Sequence, residues 1–183
     1  MFIQSSPFRY IKFNQHISEI ILTRGKSRTV ESFLKAAGRK RSFQVVVCEG
    51  YPMLNGHDHA LSLASAGIET TVITDAAAWA VMARMNKVVL GVHAVLANGG
   101  IIAPAGTRIV ALAAKAHHVP VVCCAGLWKL SPLAPFDVKS FAELQGPESL
   151  ELAELVGVDG VDIVNPTWDY IEPEFVDLFV TNS

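Results

Sequence analysis

The chain has 183 residues, 51% of them hydrophobic and 17% charged, with a formal net charge of −2. That length fits one domain of ordinary size, and the apolar excess implies strands buried on both faces or a large partner surface. The charge gives no reason to expect direct nucleic-acid binding, which favours basic patches, and the most basic run, Lys35 to Arg41, reads as the polar end of a surface helix.

Residues 1–17 carry no clear periodicity and are left unassigned. Strand and helix patterns then alternate. Glu19 to Thr23 reads as a strand. Ser27 to Ala37 reads as a helix with Val30, Phe33, Leu34 and Ala37 on one face, Ser27 as its cap and Gly38 as its stop. Phe43 to Cys48 is a second strand, Asp58 to Ala66 a second helix ended by Gly67, and Ile68 to Ile73 a third strand. Thr74-Asp75 opens a third helix through Met85. Lys87 to Gly91 and His93 to Ala97 give a fourth strand with a bend, Thr107 to His117 a helix, and Pro120 to Ala125 a further strand. Leu127 to Gly157, with Pro132, Pro135 and Pro147, reads as a long surface excursion, and Val161 to Val164 and Leu178 to Thr181 as late strands. Apolar strands alternating with amphipathic helices predict an α/β fold, a three-layer, Rossmann-like parallel sheet with helices on both faces.

The three cysteines, Cys48, Cys123 and Cys124, are odd in number and lack Cys-x-x-Cys spacing. They predict neither a disulfide framework nor a zinc site, and fit a reducing compartment. The first residues show no signal peptide pattern. The longest apolar tract, Val88 to Ala105, contains His93, Asn98, Gly99, Gly100 and Pro104, which suit a buried strand and turn better than a bilayer. No metal site is expected: His57-x-His59 and His117-His118 lack ligand spacing.

Ligand crevices in parallel sheets lie at the carboxyl ends of the strands. Thr23-Arg24-Gly25-Lys26-Ser27 joins a strand to a helix there. A P-loop needs another glycine where Ile20 stands, so the stretch reads either as a plain turn or as a helix start whose N–H groups hold an anion. Asp75 reads as a helix cap or as a site carboxylate. His93 reads as a core or partner-facing histidine rather than an acid–base group. Asn98-Gly99 forms a turn, Gly106-Thr107 opens a helix, and Trp128 is placed near the surface, for packing or for an interface.

These stretches carry a resemblance. Ile21-Leu22-Thr23 with Ser27-Arg28-Thr29-Val30-Glu31, Gly67 to Ala77, Leu96-Ala97-Asn98-Gly99, Gly106-Thr107 and Lys129-Leu130-Ser131-Pro132 fall in order over residues 18–182. The chain resembles the regulatory subunits of eukaryotic translation initiation factor 2B. Gly91 to Gly99 is as delta-like as beta-like, and Ile68 to Asp75 with Lys129 to Pro132 draw the chain towards beta. The resemblance implies the Rossmann-like carboxyl domain over 18–183, with 1–17 as leader or remnant of an amino-terminal helical region and truncation expected at both ends. It implies a non-catalytic, cytoplasmic subunit of the exchange factor that recycles initiation factor 2 from its GDP to its GTP form. The implied partners are the alpha, delta, gamma and epsilon subunits and initiation factor 2, in a homo- or hetero-oligomer, with no cofactor and no membrane.

The same fold family includes methylthioribose-1-phosphate and ribose-1,5-bisphosphate isomerases, the alternative reading. By resemblance, their thiol maps to Gly25, their carboxylate to His93, and their ligand-holding Asn-Lys to Ala103 and Pro104. Losing one acid–base group typically costs ~10²–10⁴-fold in rate, so no catalytic residue is expected. A vestigial ligand crevice remains, drawn from Thr23, Gly25, Ser27, Arg28, Asp75, His93, Asn98, Gly99, Gly106 and Thr107.

Overall fold

A computed structural model describes residues 19–135, 143–146, 150 and 155–182. The expectation for residues 1–17, and those for 136–142, 147–149 and 151–154 within the excursion, lie outside the described residues. Six strands form a parallel sheet: β1 (Glu19–Arg24), β2 (Phe43–Cys48), β3 (Glu69–Ile73), β4 (Lys87–Gly91), β7 (Val121–Gly126) and β9 (Leu178–Asn182), in the order β3-β2-β1-β4-β7-β9. Between them run α1 (Arg28–Gly38), α2 (Gly56–Ser65), α3 (Ala78–Met82) and α4 (Thr107–Ala116).

Successive strand residues point to opposite faces, and both faces are covered. Ile21, Val45, Val47, Val89, Val122 and Cys124 pack with Val30, Phe33 and Leu34 of α1 and Ala60 and Leu63 of α2. Leu22, Cys48, Val88, Leu90, Val121 and Cys123 pack on the other side with Ala78 and Met82 of α3 and Val110, Ala111, Ala113 and Ala114 of α4. This is the three-layer, Rossmann-like arrangement that the apolar strands predict. Ser27 caps α1 as expected: its hydroxyl accepts from the Val30 N–H at 3.4 Å.

Four expectations are corrected. The fourth strand does not continue through a bend. It stops at Gly91, and residues 94–95 form β5 (Ala94–Val95) of a second, antiparallel sheet with β6 (Ile101–Pro104) and β8 (Trp168–Ile171), in the order β5-β6-β8. The Asn98 turn joins β5 to β6, with the Asn98 carboxamide oxygen accepting from the Gly100 N–H at 2.9 Å. β6 and β8 are strands that periodicity missed, because each is four residues long and one ends on a proline. Residues 161–164 form no strand, and Val161 and Val164 are exposed there. The helix expected from Asp75 to Met85 is a 3₁₀ turn, Asp75–Ala77, followed by the short α3.

His59 on α2 is fully buried, and its Nδ1–H donates to the Gly25 carbonyl at 2.8 Å. Its Nε2 is buried with no hydrogen-bond partner. Protonation would bury a second N–H without an acceptor, and burial holds the imidazole below the ordinary histidine range. The unfolded chain takes up this proton near its ordinary pKa of about 6.5, whereas the folded chain resists until lower pH. The unfolded state therefore binds more protons in that window, and stability falls as pH drops below about 6.5. His59→Asn keeps a donor for Gly25 and removes the titration. Urea unfolding should show the variant about 1–2 kcal/mol less stable at pH 7, with a smaller loss than the parent between pH 7 and pH 5.

Candidate functional site

Connections from β1 and β4 lead to opposite sides of the sheet, so the carboxyl ends of these neighbours part and leave a crevice. A cleft of about 750 Å³ lies there. The end of β1 and the start of α1, the β2–α2 loop, Leu90 to His93, Pro104-Ala105, Trp128-Lys129 and residues 165–168 form its walls. Gly91 fixes how tightly the two strand ends close: a Cβ there would sit 2.3 Å from the Ser27 hydroxyl. Gly25 lies at φ +58°, and a Cβ on it would meet the Asn55 carboxamide oxygen at 2.8 Å. That oxygen already accepts from the Lys26 N–H at 3.0 Å. A thiol-bearing residue at position 25 would therefore have to displace Asn55 as well as adopt a left-handed backbone.

Asp75 does not cap a helix. Its carboxylate reaches back across three strand ends, accepting from the Gly50 N–H at 3.1 Å, the Tyr51 N–H at 2.9 Å and the Arg24 guanidinium at 2.9 Å. The Arg24 side chain is only 5% exposed. It runs beneath Gly106, where a Cβ would come within 2.6 Å of Nη2. The glycine at φ +90° is thus required both by the left-handed turn and by the guanidinium.

The start of α4 is occupied by the protein itself. Gly106 gives α4 no side-chain cap, and Asp169 of β8 supplies one from a distance: its carboxylate accepts from the Gly106 N–H at 2.8 Å and the Arg108 N–H at 2.9 Å. A helix N-terminus of this kind suits an anion, and here the anion is built in. The Thr107 hydroxyl donates to the Pro104 carbonyl at 2.5 Å. Arg108 continues the attachment through Glu172 at 2.6 Å, a pairing that holds the guanidinium above its ordinary range.

His93 is exposed, in the bend after β4, and not in a buried strand as the apolar run predicts. Its ring stacks on Trp168 at 4.2 Å. Next to it, the Lys129 ammonium donates to the Val92 carbonyl, and burial draws that ammonium below the usual lysine range. No cysteine, aspartate or glutamate lines the cleft among the described residues. The cysteines are buried elsewhere: burial pushes Cys48 and Cys124 up to about 12, and raises Cys123 as well.

Of the sequence-predicted residues, Gly25, Ser27, Arg28, His93 and Thr107 line the cleft together, as does Pro104. Thr23 is buried below it. Asp75 and Gly106 act through Arg24, and Asn98 and Gly99 belong to the turn of the small sheet, away from the lining. Sequence reasoning missed Arg24, Asn55, Trp168 and Asp169 as parts of the site. Arg24 follows Thr23 at a strand end, a position that could have pointed to it. Asp169 gives no local signal, because the helix it caps begins over sixty residues earlier in the chain.

The profile of the Initiation factor 2 subunit family matches residues 10–183. The chain is 52% identical over 168 residues to the translation initiation factor eIF2B subunit beta of Dictyostelium discoideum, covering 91% of this chain and 43% of that protein. It is 49% identical over 170 residues to the eIF2B subunit beta of Schizosaccharomyces pombe, again covering 91% of this chain and 43% of that protein. The chain thus spans less than half the length of these curated relatives. Two solved structures share the fold. One is 5-methylthioribose 1-phosphate isomerase from Pyrococcus horikoshii OT3, with a TM-score of 0.79 and 23% identity over 90% of this chain and 50% of that one. The other is the tetrameric eIF2B-beta2-delta2 complex from C. thermophilum, with a TM-score of 0.75 and 24% identity over 89% of this chain and 50% of that one.

The carboxylate of Asp75 should matter far more than an exposed one. Asp75→Ala leaves Arg24 buried without its counter-charge and should cost about 3–5 kcal/mol in chemical denaturation. Asp58→Ala, which removes an exposed partner of Lys26, should cost under ~1 kcal/mol.

Proposed function

The chain belongs to the Initiation factor 2 subunit family, and we propose that it forms the Rossmann-like body of a regulatory, non-catalytic beta subunit of eIF2B. In this reading it works in the cytoplasm, within the factor that recycles initiation factor 2 from its GDP to its GTP form. It acts by assembling with the other eIF2B subunits, delta above all, and by helping to present the surface that recognises initiation factor 2. The cleft is then a vestigial ligand crevice, in which Gly25, Ser27, Arg28, His93 and Thr107 keep the outline of a site without its reactive groups.

The observation that carries this reading is the chemistry of the cleft. Its lining holds neither thiol nor carboxylate among the described residues. Asp169 fills the start of α4. Aldose–ketose interconversion needs two positioned acid–base groups, and His93 stands there with an indole, not a carboxylate, against its ring. The close beta-subunit relatives support the same reading.

The surface offers apolar area for assembly. On α4, Ile109 and Leu112 share one exposed face, and the exposed Trp79 of α3 makes an edge contact with His117, at the end of α4, at 5.2 Å. A flank with apolar residues three apart suits helix packing against a homologous domain. Co-expressed with a delta subunit, the chain should co-purify as a complex. Leu112→Asp should weaken that association by about tenfold or more, since it places a charge in a desolvated contact. Size-exclusion chromatography with light scattering reads the result. A partnerless monomer at high concentration would overturn the assembly reading, and turnover of methylthioribose-1-phosphate or ribose-1,5-bisphosphate that His93→Ala abolishes would replace it with an isomerase.

A further inference from the structure

The cleft combines one sign of charge with exposed aromatic surface. Arg24, Lys26, Arg28 and Lys129 line it, and no acidic side chain does among the described residues. Asp75 neutralises Arg24, and Asp58 pairs with Lys26. Arg28 and Lys129 have no carboxylate partner among the described residues. The Lys129 amine rests on the Val92 carbonyl, which leaves it N–H donors to spare. On the same walls Trp128 is 73% exposed, and Tyr51 and Met53 are exposed as well. The Trp128 indole folds back over Gly126, where a Cβ would sit 2.5 Å from its ring atoms. Gly126 thus lets the ring lie against the main chain, with much of its apolar surface left in water.

We propose that this cleft docks an extended acidic segment of a protein partner, whose carboxylates meet Arg28 and Lys129 and whose apolar side chain packs on Trp128. Charge complementarity selects the class of partner. Cations without counter-charges in a concave wall concentrate a field that carboxylates relieve. The Arg28 guanidinium takes a carboxylate through two parallel hydrogen bonds. Trp, Tyr, Met and Arg are also the residues enriched where protein interfaces bury their centres. A compact anion such as phosphate fits less well, because backbone N–H groups that would cradle it are engaged. Asp75 takes those of Gly50 and Tyr51, Asn55 that of Lys26, and Asp169 that of Gly106. What remains are the ends of long side chains, which suit carboxylates spaced along a peptide. A nucleic-acid strand needs a continuous basic track. Here Asp58 and Glu143 interrupt the margins, bonded to the lining residues Lys26 and Trp168. The inference goes beyond the subunit reading and holds whether or not the chain assembles with delta.

The probe is a short synthetic peptide with glutamates on both sides of a central phenylalanine, titrated into the full chain and followed by calorimetry. It should bind, and more weakly as salt is raised. The same peptide with glutamine for glutamate should bind about tenfold or more weakly, and alanine for its phenylalanine should weaken it too. Arg28→Ala and Trp128→Ala remove exposed side chains and should each weaken binding by about tenfold. Lys40→Ala, exposed and outside the cleft, should leave it unchanged. No binding of the glutamate peptide, equal binding of the glutamine peptide, or binding indifferent to Arg28→Ala or Trp128→Ala would overturn the proposal. So would tighter, competing binding of an oligouridylate of equal charge, which would make the cleft a nucleic-acid groove.

Discussion

The carboxylate of Asp75 holds the upper edge of the sheet together. The carboxyl ends of β1, β2 and β3 tend to splay because a parallel sheet twists. One side chain bridges them by accepting two backbone N–H bonds and one from a guanidinium. A half-buried charge of this kind needs donors in place of the water it loses, and here three supply them. The consequence travels further. Arg24, fixed by Asp75, lies under Gly106 and permits no side chain there. Gly106 sets the start of α4, and Asp169 seals that start from β8. The main sheet, the helix and the small antiparallel sheet are therefore joined by two carboxylate anchors and the close approach of Arg24 to Gly106, as well as by the apolar core.

Those contacts also determine which backbone donors at the sheet's carboxyl edge are already engaged. The backbone donors that a sheet of this topology turns towards a ligand are largely taken by the protein's own oxygens. Asp75 takes those of Gly50 and Tyr51, Asn55 takes that of Lys26, and Asp169 takes those of Gly106 and Arg108. Each internal acceptor is at effectively fixed concentration, so an external anion would have to displace it at a cost in desolvation. The outline of the crevice is a by-product of internal satisfaction.

The legible part of the sequence was what depends on local repetition. The alternation of apolar strands with amphipathic helices gave the layers, and Val30, Phe33 and Leu34 of α1 face the core as their spacing requires. Glycines were legible as stops and turns, but their reasons were not. Gly25 answers to Asn55, Gly91 to Ser27 and Gly106 to Arg24, all contacts between residues distant in the chain. Asp75 misled because aspartate after a strand is a good cap by local rules, and tertiary donors outbid the helix. The run from Val88 to Ala97 misled because a continuous apolar stretch does not show where one sheet ends and another begins. His93 marks that point, and its exposure follows from the break.

The charge of the cleft is likewise invisible in the total. A chain with a formal net charge of −2 nonetheless gathers four cationic side chains around one cleft. Net charge governs solubility and long-range steering, whereas the potential inside a concave, low-dielectric wall depends on which charges lack partners. Arg24 is neutralised by the clamp that builds the edge, and Lys26 by an exposed carboxylate open to salt screening. Arg28 and Lys129 carry what remains. The clamp that neutralises Arg24 also fixes the end of β1 from which the chain turns into Arg28.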